Sequence, residues 1–139
     1  AELEQICQMV EGELTQVPSA LERLWRVLLA FVLDSMCYIS LSRKITYLNS
    51  CEDSDLFATR LEMVQILRRQ VVEAQEQGEL CPDADPDEIT ELVMGLYLIS
   101  QFQWVHQEQH TPAYWSHRLE QAFRRVMAGF LAQPLPREN

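Results

Sequence analysis

The sequence predicts an all-α fold, a bundle of about six helices in a single domain that covers residues 1–139. Apolar residues recur every three or four positions along most of the chain, which places them on one face of a helix. Several segments begin with helix-capping residues, and no segment alternates apolar and polar residues as a half-buried strand does. Because 47% of the residues are hydrophobic, one folded core is expected rather than a disordered chain.

The first two predicted helices differ in how clearly they begin. Residues 2–14 form a short amphipathic pattern that no capping residue precedes. Ser19 and Glu22 form a capping box, in which the serine oxygen accepts from the Glu22 amide and the glutamate reaches back to the Ser19 amide. Apolar side chains at helical spacing then predict a long helix: Leu21, Leu24, Trp25, Leu28, Leu29, Val32, Met36 and Ile39.

The next predicted helix covers residues 57–77 and follows a polar break over residues 49–55. The acidic residues of that break precede the helix, where they favour the positive end of its dipole. Gly78 is expected to end the helix, because glycine adopts the left-handed conformation without a clash at Cβ.

Two further helices begin at a capping residue followed by proline. Asp85 precedes Pro86, and Thr111 precedes Pro112, so we expect helices over residues 86–107 and 112–132, the second ended by the prolines after it. The first of these helices is apolar on nearly every side, and such a helix must be covered on nearly every side. In a domain of 139 residues, that cover indicates a partner.

Charge and cysteine content exclude several functions. The net charge is −10, and an acidic surface repels phosphate, so the chain itself is not expected to bind DNA or an anionic membrane. No apolar run reaches the roughly 20 residues of a membrane helix, and no export signal is evident. Cys7, Cys37, Cys51 and Cys81 are far apart in sequence, which is typical of reduced thiols in a cytoplasmic protein.

Residues 71–104 carry a resemblance to a known family. A long helix ends in Gln77-Gly78-Glu79-Leu80, an acidic entry follows at Asp85-Pro86-Asp87-Glu88, and the next helix contains Gly95-Leu96. In these features the chain resembles the TetR family of transcriptional repressors, particularly its multidrug-repressor branch. Residues 18–33 resemble the first full helix of that family's sensor domain, and residues 117–132 resemble its last dimerisation helix.

The resemblance implies a specific mechanism for transcription regulation. Members of the family bind operator DNA through an N-terminal helix-turn-helix headpiece, dimerise through their last two long helices as a four-helix bundle, and bind an effector between the other helices. The effector changes the separation of the two headpieces and relieves operator binding. This chain contains no headpiece sequence, and its uncapped beginning leads us to expect a truncated repressor.

Two sets of candidate residues follow from these patterns. The expected homodimer interface consists of Leu92, Gly95, Leu96, Ile99, Leu119, Ala122, Val126, Gly129 and Phe130, unless these residues form the core of a monomer. The expected pocket for a small hydrophobic or cationic effector consists of Trp25, Leu29, Val32, Met36, Leu61, Val64, Met94, Tyr97, Gln101 and Trp104. Taken singly, each pocket candidate is also compatible with ordinary core packing.

The remaining titratable residues favour simple interpretations. His106 and His110 have a spacing that suits a metal ion, but their place at a helix end favours exposed side chains. Asp34 lies in an apolar run, where it either faces water or, if buried, favours a cationic ligand. No phosphate-binding glycine loop or nucleophile turn is present, so we expect neither an enzyme nor a cofactor. The rival hypothesis is a helical protein–protein interaction module without a small-molecule ligand.

Overall fold

The computed structural model describes residues 8, 12–42, 54–106 and 111–132. Four α-helices lie in these ranges: α1 (Ala20–Ser42), α2 (Ser54–Glu76), α3 (Pro86–His106) and α4 (Pro112–Ala128). A short 3-10 helix, Glu13–Gln16, precedes α1. The all-α prediction is confirmed for this part of the chain. Most of the helix predicted over residues 2–14 lies outside the described residues, and its last two residues, Glu13 and Leu14, belong to the 3-10 helix instead. The expected count of about six helices stays a prediction.

The four helices share one hydrophobic core, and α1 packs against each of the other three. The apolar spacing that predicted α1 turns one face of the helix inward, as the period of an α-helix requires. Each helix and the α2–α3 loop contribute large side chains that are almost fully buried. These are Leu24, Val27, Leu28, Val32, Leu67, Val71, Leu80, Ile89, Val93, Phe123 and Met127.

Three predicted helix starts are confirmed by side-chain caps, whereas the start predicted at residue 57 is wrong, because α2 begins at Ser54, inside the predicted polar break. The Ser19 hydroxyl accepts from the Glu22 amide at 3.1 Å, and the Thr111 hydroxyl accepts from the Tyr114 amide at 3.2 Å. At the start of α3, the Asp85 carboxylate accepts from the amide of Asp87 at 2.9 Å. The return half of the capping box is different from the prediction, because Glu22 turns away from its own helix and accepts from Arg124 on α4 at 2.9 Å.

The start of α1 is completed by a residue distant in sequence. Glu79, in the loop after α2, accepts from the Ala20 amide at 2.8 Å and from the Leu21 amide at 3.4 Å. Its other carboxylate oxygen accepts from the Ser19 hydroxyl. The side-chain oxygen of Gln77 also accepts from the Ala20 amide, at 3.1 Å. The α2–α3 loop therefore satisfies amides that have no partner within the helix.

The predicted end of α2 is confirmed, whereas the predicted end of α4 is not. Gly78 follows α2 with φ of +79°, so its role as the left-handed stop is confirmed. The last helix was predicted to reach residue 132, and this is wrong, because α4 ends at Ala128. The chain there leaves the helix to form an isolated antiparallel bridge between Leu80 and Leu131. The Cys81 amide donates to the carbonyl oxygen of Phe130 at 2.7 Å. No local sequence pattern predicts this hydrogen bond.

No helix among the described residues combines the length and the hydropathy needed to cross a membrane.

Candidate functional site

A group of three hydrogen-bonded polar side chains lies between α1 and α3. The Ser35 hydroxyl is 2.6 Å from the Tyr97 hydroxyl. The amide nitrogen of Gln101 donates to both oxygens, at 2.7 Å to Tyr97 and 3.1 Å to Ser35. We call Ser35, Tyr97 and Gln101 the polar triangle.

Helix geometry explains why these three side chains meet. Tyr97 and Gln101 are four residues apart on α3, so they lie on the same face one turn apart. Ser35 is on α1, which packs directly against α3. Tyr97 is only 5% exposed, whereas Ser35 and Gln101 are partly exposed. The triangle therefore extends from the core towards the surface.

Burial keeps the phenol of Tyr97 neutral up to a higher pH than that of an exposed tyrosine. The loss of hydration raises the pKa of its phenol above the ordinary value of 10.0, with a smaller contribution in the same direction from the carboxylate of Asp34. The hydrogen bond with Ser35 and the positive charge of Arg60 act in the opposite direction on this pKa and only partly offset the burial. At neutral pH the phenol is therefore uncharged, and it can donate or accept a hydrogen bond but does not serve as a base.

The triangle includes two of the predicted pocket residues, Tyr97 and Gln101. Ser35 was missed, because its place in the apolar run around Asp34 is the only sign in the sequence that its hydroxyl lies near the core. Its partners depend on how α1 packs against α3, which the sequence does not state. Asp34, for which two environments were considered, is partly exposed.

The other predicted pocket residues are divided between the core and its edge. Trp25 and Val32 are buried, and the Trp25 ring packs on Phe123 of α4 with centroids 5.5 Å apart. Leu29 and Met94 are partly buried against the core, Val64 is partly exposed, and Leu61 is exposed on α2. The side chains of Met36 and Trp104 lie outside the described residues. Whether this set binds an effector stays a prediction.

An open groove also runs along the outer face of α2. Its lining consists of Gln65, Arg68, Arg69, Val72, Glu73 and Glu76. None of the predicted pocket residues lines it. Its mixture of both charges with a single valine lacks the apolar lining of a typical small-molecule site.

The outer face of α3 carries several exposed apolar side chains. Leu92, Leu98, Ile99 and Phe102 are each between 42% and 48% exposed. Gly95 is on the same face, and a Cβ built at this glycine would meet nothing within 4 Å. Whether a partner covers these side chains stays a prediction. Contiguous exposed apolar surface of this kind is characteristic of interaction sites.

The predicted interface residues on α4 and directly after it are mostly less exposed than Leu92, Gly95 and Ile99 of α3. Leu96, the other predicted interface residue of α3, is partly buried against the core. Leu119 is buried in the core of the single chain, and Ala122, Val126 and Phe130 are partly buried. Gly129 is exposed, directly after the end of α4. The outward positions of this helix are occupied largely by polar or charged side chains: His117, Arg118, Gln121, Arg124 and Arg125. Most of the exposed apolar surface among the candidates therefore belongs to α3.

Most of the histidine and cysteine side chains considered for metal binding or redox chemistry lie outside the described residues. The side chain of His106 and all of His110 lie outside it, as do Cys7, Cys51 and the side chain of Cys37. Cys81 is a partly buried free thiol. Within the described ranges, no three histidine, cysteine or acidic side chains are close enough together to hold a metal ion.

Comparisons of this chain with protein-family models, with curated proteins and with solved structures found no match.

Proposed function

We propose that this chain is the effector-binding and dimerisation domain of a TetR-type transcriptional repressor. The observation that carries the proposal is the polar triangle, three hydrogen-bonding side chains at the edge of an apolar helix interface. Sites for small molecules are mostly apolar and contain a few polar groups that fix the orientation of the ligand. Tyr97, Gln101 and Ser35 supply such groups, next to the apolar side chains of α1 and α3.

The effector in this proposal is a small hydrophobic or cationic molecule that inserts between α1 and α3. A polar group of the effector takes over a hydrogen bond that Tyr97 and Gln101 now make to each other or to Ser35. The partly exposed carboxylate of Asp34, one residue from the triangle, favours a cation. The neutral phenol of Tyr97 is compatible with both classes of effector.

Regulation in this proposal is a shift between two arrangements of a homodimer. The effector binds better to the arrangement in which the headpieces are wrongly spaced for the operator, and it shifts the population by that difference in affinity. The triangle links α1 to α3, the helix that also carries the exposed apolar face. A ligand that separates these two helices thus acts directly on the element proposed to form the dimer.

A thermal-shift screen of the purified chain with hydrophobic and cationic compounds tests this function. A compound that binds the native state raises the temperature of the unfolding midpoint. At a hundred times its Kd, it adds about 2.7 kcal/mol to the free energy of unfolding. We expect hits whose affinity falls at least about tenfold in Tyr97→Phe, because this change removes one polar contact. The matched control is Tyr114→Phe, at an exposed tyrosine on α4, which should leave the affinity unchanged.

The second candidate is a protein–protein interaction module, and the exposed leucine and isoleucine side chains of α3 favour it independently of any pocket. The same screen separates the two functions. A library without hits contradicts the effector-binding domain and favours the module. Hits that bind equally well to the Tyr97→Phe variant contradict the proposed role of the triangle.

A further inference from the structure

The polar triangle contains one more hydroxyl proton than its own hydrogen bonds use. The amide nitrogen of Gln101 supplies two protons, and the hydroxyls of Ser35 and Tyr97 supply one each. Three hydrogen bonds join these atoms, and the Gln101 nitrogen is the donor in two of them. One hydroxyl proton is used between Ser35 and Tyr97, so the other can be donated to a molecule outside the triangle.

The available protons also fix the orientation of the Gln101 side-chain amide. With the amide reversed, Oε1 would face both hydroxyls, and three contacts would need three protons from only two hydroxyls. The nitrogen therefore faces the hydroxyls, and Oε1 is directed away from them. Within the described part of the chain this oxygen makes no hydrogen bond, and it does not belong to the buried unpaired atoms, so solvent reaches it.

The charges near the triangle act in opposite directions. Burial is the main cause of the raised pKa of Tyr97, whereas the guanidinium of Arg60 lowers this pKa and the carboxylate of Asp34 raises it. A ligand with a net charge at this place is attracted by one of the two side chains and repelled by the other. The attraction of Asp34 for a cation is thereby offset, and the hydrogen-bonding groups decide which ligand fits.

Apolar side chains lie beside the triangle on α3. Met94 and Leu98 precede Tyr97 and Gln101 by three residues each, so each is a neighbour of its polar residue on the helix surface. Met94 is partly buried against the core, and Leu98 is 45% exposed. The apolar part of a ligand can cover these two side chains while its polar group reaches the triangle.

We propose that the polar triangle binds a neutral molecule whose polar group carries a donor next to an acceptor, as in a carboxamide, a lactam or a urea. The N–H of the ligand donates to Oε1 of Gln101, and its carbonyl oxygen accepts the unused hydroxyl proton. An amidinium has no acceptor for that proton, and a carboxylate has no proton for Oε1, so each ion leaves one group unpaired. The inference rests on the effector-binding domain of the proposed function, and it narrows the effector to neutral, amide-like molecules.

Three probes of nearly the same shape test the ligand class: benzamide, benzamidinium and benzoate. They share one ring and differ in the charge and protons of the polar group. NMR titration of the purified, isotope-labelled chain at neutral pH measures each Kd. We expect benzamide to bind about tenfold more tightly than either ion, because each ion leaves one polar group without a hydrogen bond. The resonances shifted by benzamide should include the side-chain amide of Gln101.

Gln101→Glu should change the order of affinities rather than only weaken binding. The new carboxylate accepts from both hydroxyls and has no proton to donate, so it favours a ligand that only donates. Benzamidinium should then bind about tenfold more tightly than benzamide. The matched control is Gln121→Glu, the same substitution at an exposed position of α4, and benzamide should remain its tightest ligand.

Several outcomes would overturn the inference. These are equal affinities for the three probes, one of the two ions as the tightest ligand of the parent chain, and a Gln101→Glu variant that keeps the order of the parent. The absence of binding by all three probes at about 10 mM, the Kd expected for a molecule of roughly nine heavy atoms, overturns it as well. The proposed function stands in each case if the thermal-shift screen finds other compounds whose binding depends on Tyr97, whereas a screen without hits overturns both.

Discussion

The carboxylate of Glu79 accepts a hydrogen bond from the backbone amide of Ala20 at 2.8 Å, across 59 residues of sequence. It thereby places a negative charge at the N-terminus of α1, where the helix dipole favours one. The same loop forms the bridge between Leu80 and Leu131 just beyond α4. One short segment therefore connects the beginning of α1 with the segment that follows α4.

Removing the Glu79 carboxylate should destabilise the domain. We expect Glu79→Ala to lower the free energy of unfolding by about 1–3 kcal/mol, because the partly buried amides of Ala20 and Leu21 lose a charged acceptor. Glu79→Gln retains a neutral acceptor and should cost less. Urea denaturation measures both, and Glu76→Ala at an exposed position near the end of α2 is the control. Equal stability of Glu79→Ala and the parent chain would contradict this role.

The turn at Gly78 gives a second prediction. Its φ of +79° lies in the left-handed region, although a Cβ there would meet no neighbour within 4 Å. Gly78→Ala should therefore cost about 1–2 kcal/mol, all of it from the backbone conformation. Asparagine tolerates this conformation better, so Gly78→Asn should lose less in the same urea titration. If the two variants are equally stable, the conformation of residue 78 is not the cause of the loss.

Three of the four helix starts in the described part of the chain could be predicted from the sequence, because their causes are local. A cap at Ser19, Asp85 or Thr111 bonds to an amide two or three residues away, and the proline after two of them fixes the first turn. The stop at Gly78 is equally local. Each of these features is present in a few consecutive residues.

The features that were missed depend on contacts between distant segments. Glu79 belongs to the stretch that carried the family resemblance, yet its bond to Ala20 exists only because the helices pack as they do. The early end of α4 depends on the bond from Cys81 to Phe130, and Ser35 joins the candidate site only through the packing of α1 on α3. The exposed apolar side chains of α3 are the exception, since the sequence already shows apolar residues on nearly every side of this helix.

The burial of Tyr97 predicts a loss of stability in alkali. Its pKa is above the ordinary 10.0 in the folded chain, so on raising the pH the unfolded chain loses the phenol proton first. The unfolded state then binds fewer protons, and the free energy of unfolding falls as the pH rises above 10.0 and through the folded pKa. Below that window the contribution of Tyr97 is fully present.

Urea denaturation between pH 8 and 11 measures this effect as the difference between the parent chain and Tyr97→Phe. The variant should be about 1 kcal/mol less stable at pH 8, because it lacks the hydroxyl bonds of the triangle. Its further loss above pH 10 should be smaller than that of the parent. Parallel curves throughout the range would show that Tyr97 ionises alike in both states.

Arg23 and Arg68 form ion pairs that should differ greatly in their contribution to stability. The Arg23 side chain is 12% exposed and donates to Glu73 at 3.1 Å, to the buried Gln70 at 3.3 Å and to the carbonyl oxygen of Val17. Arg23→Ala deprives all three acceptors of this donor and should cost about 2–4 kcal/mol.

Arg68→Ala is the matched control for this prediction, because the same side chain is removed at the surface. Arg68 pairs with Asp87 at 2.7 Å, but both side chains are well exposed, and such pairs contribute no more than about 1 kcal/mol. The two urea midpoints should therefore differ clearly, and 0.5 M salt should reduce only the small contribution of the exposed pair. Equal losses from the two variants would mean that the connection from α1 to α2 through Arg23 does not stabilise the bundle more than an exposed pair does.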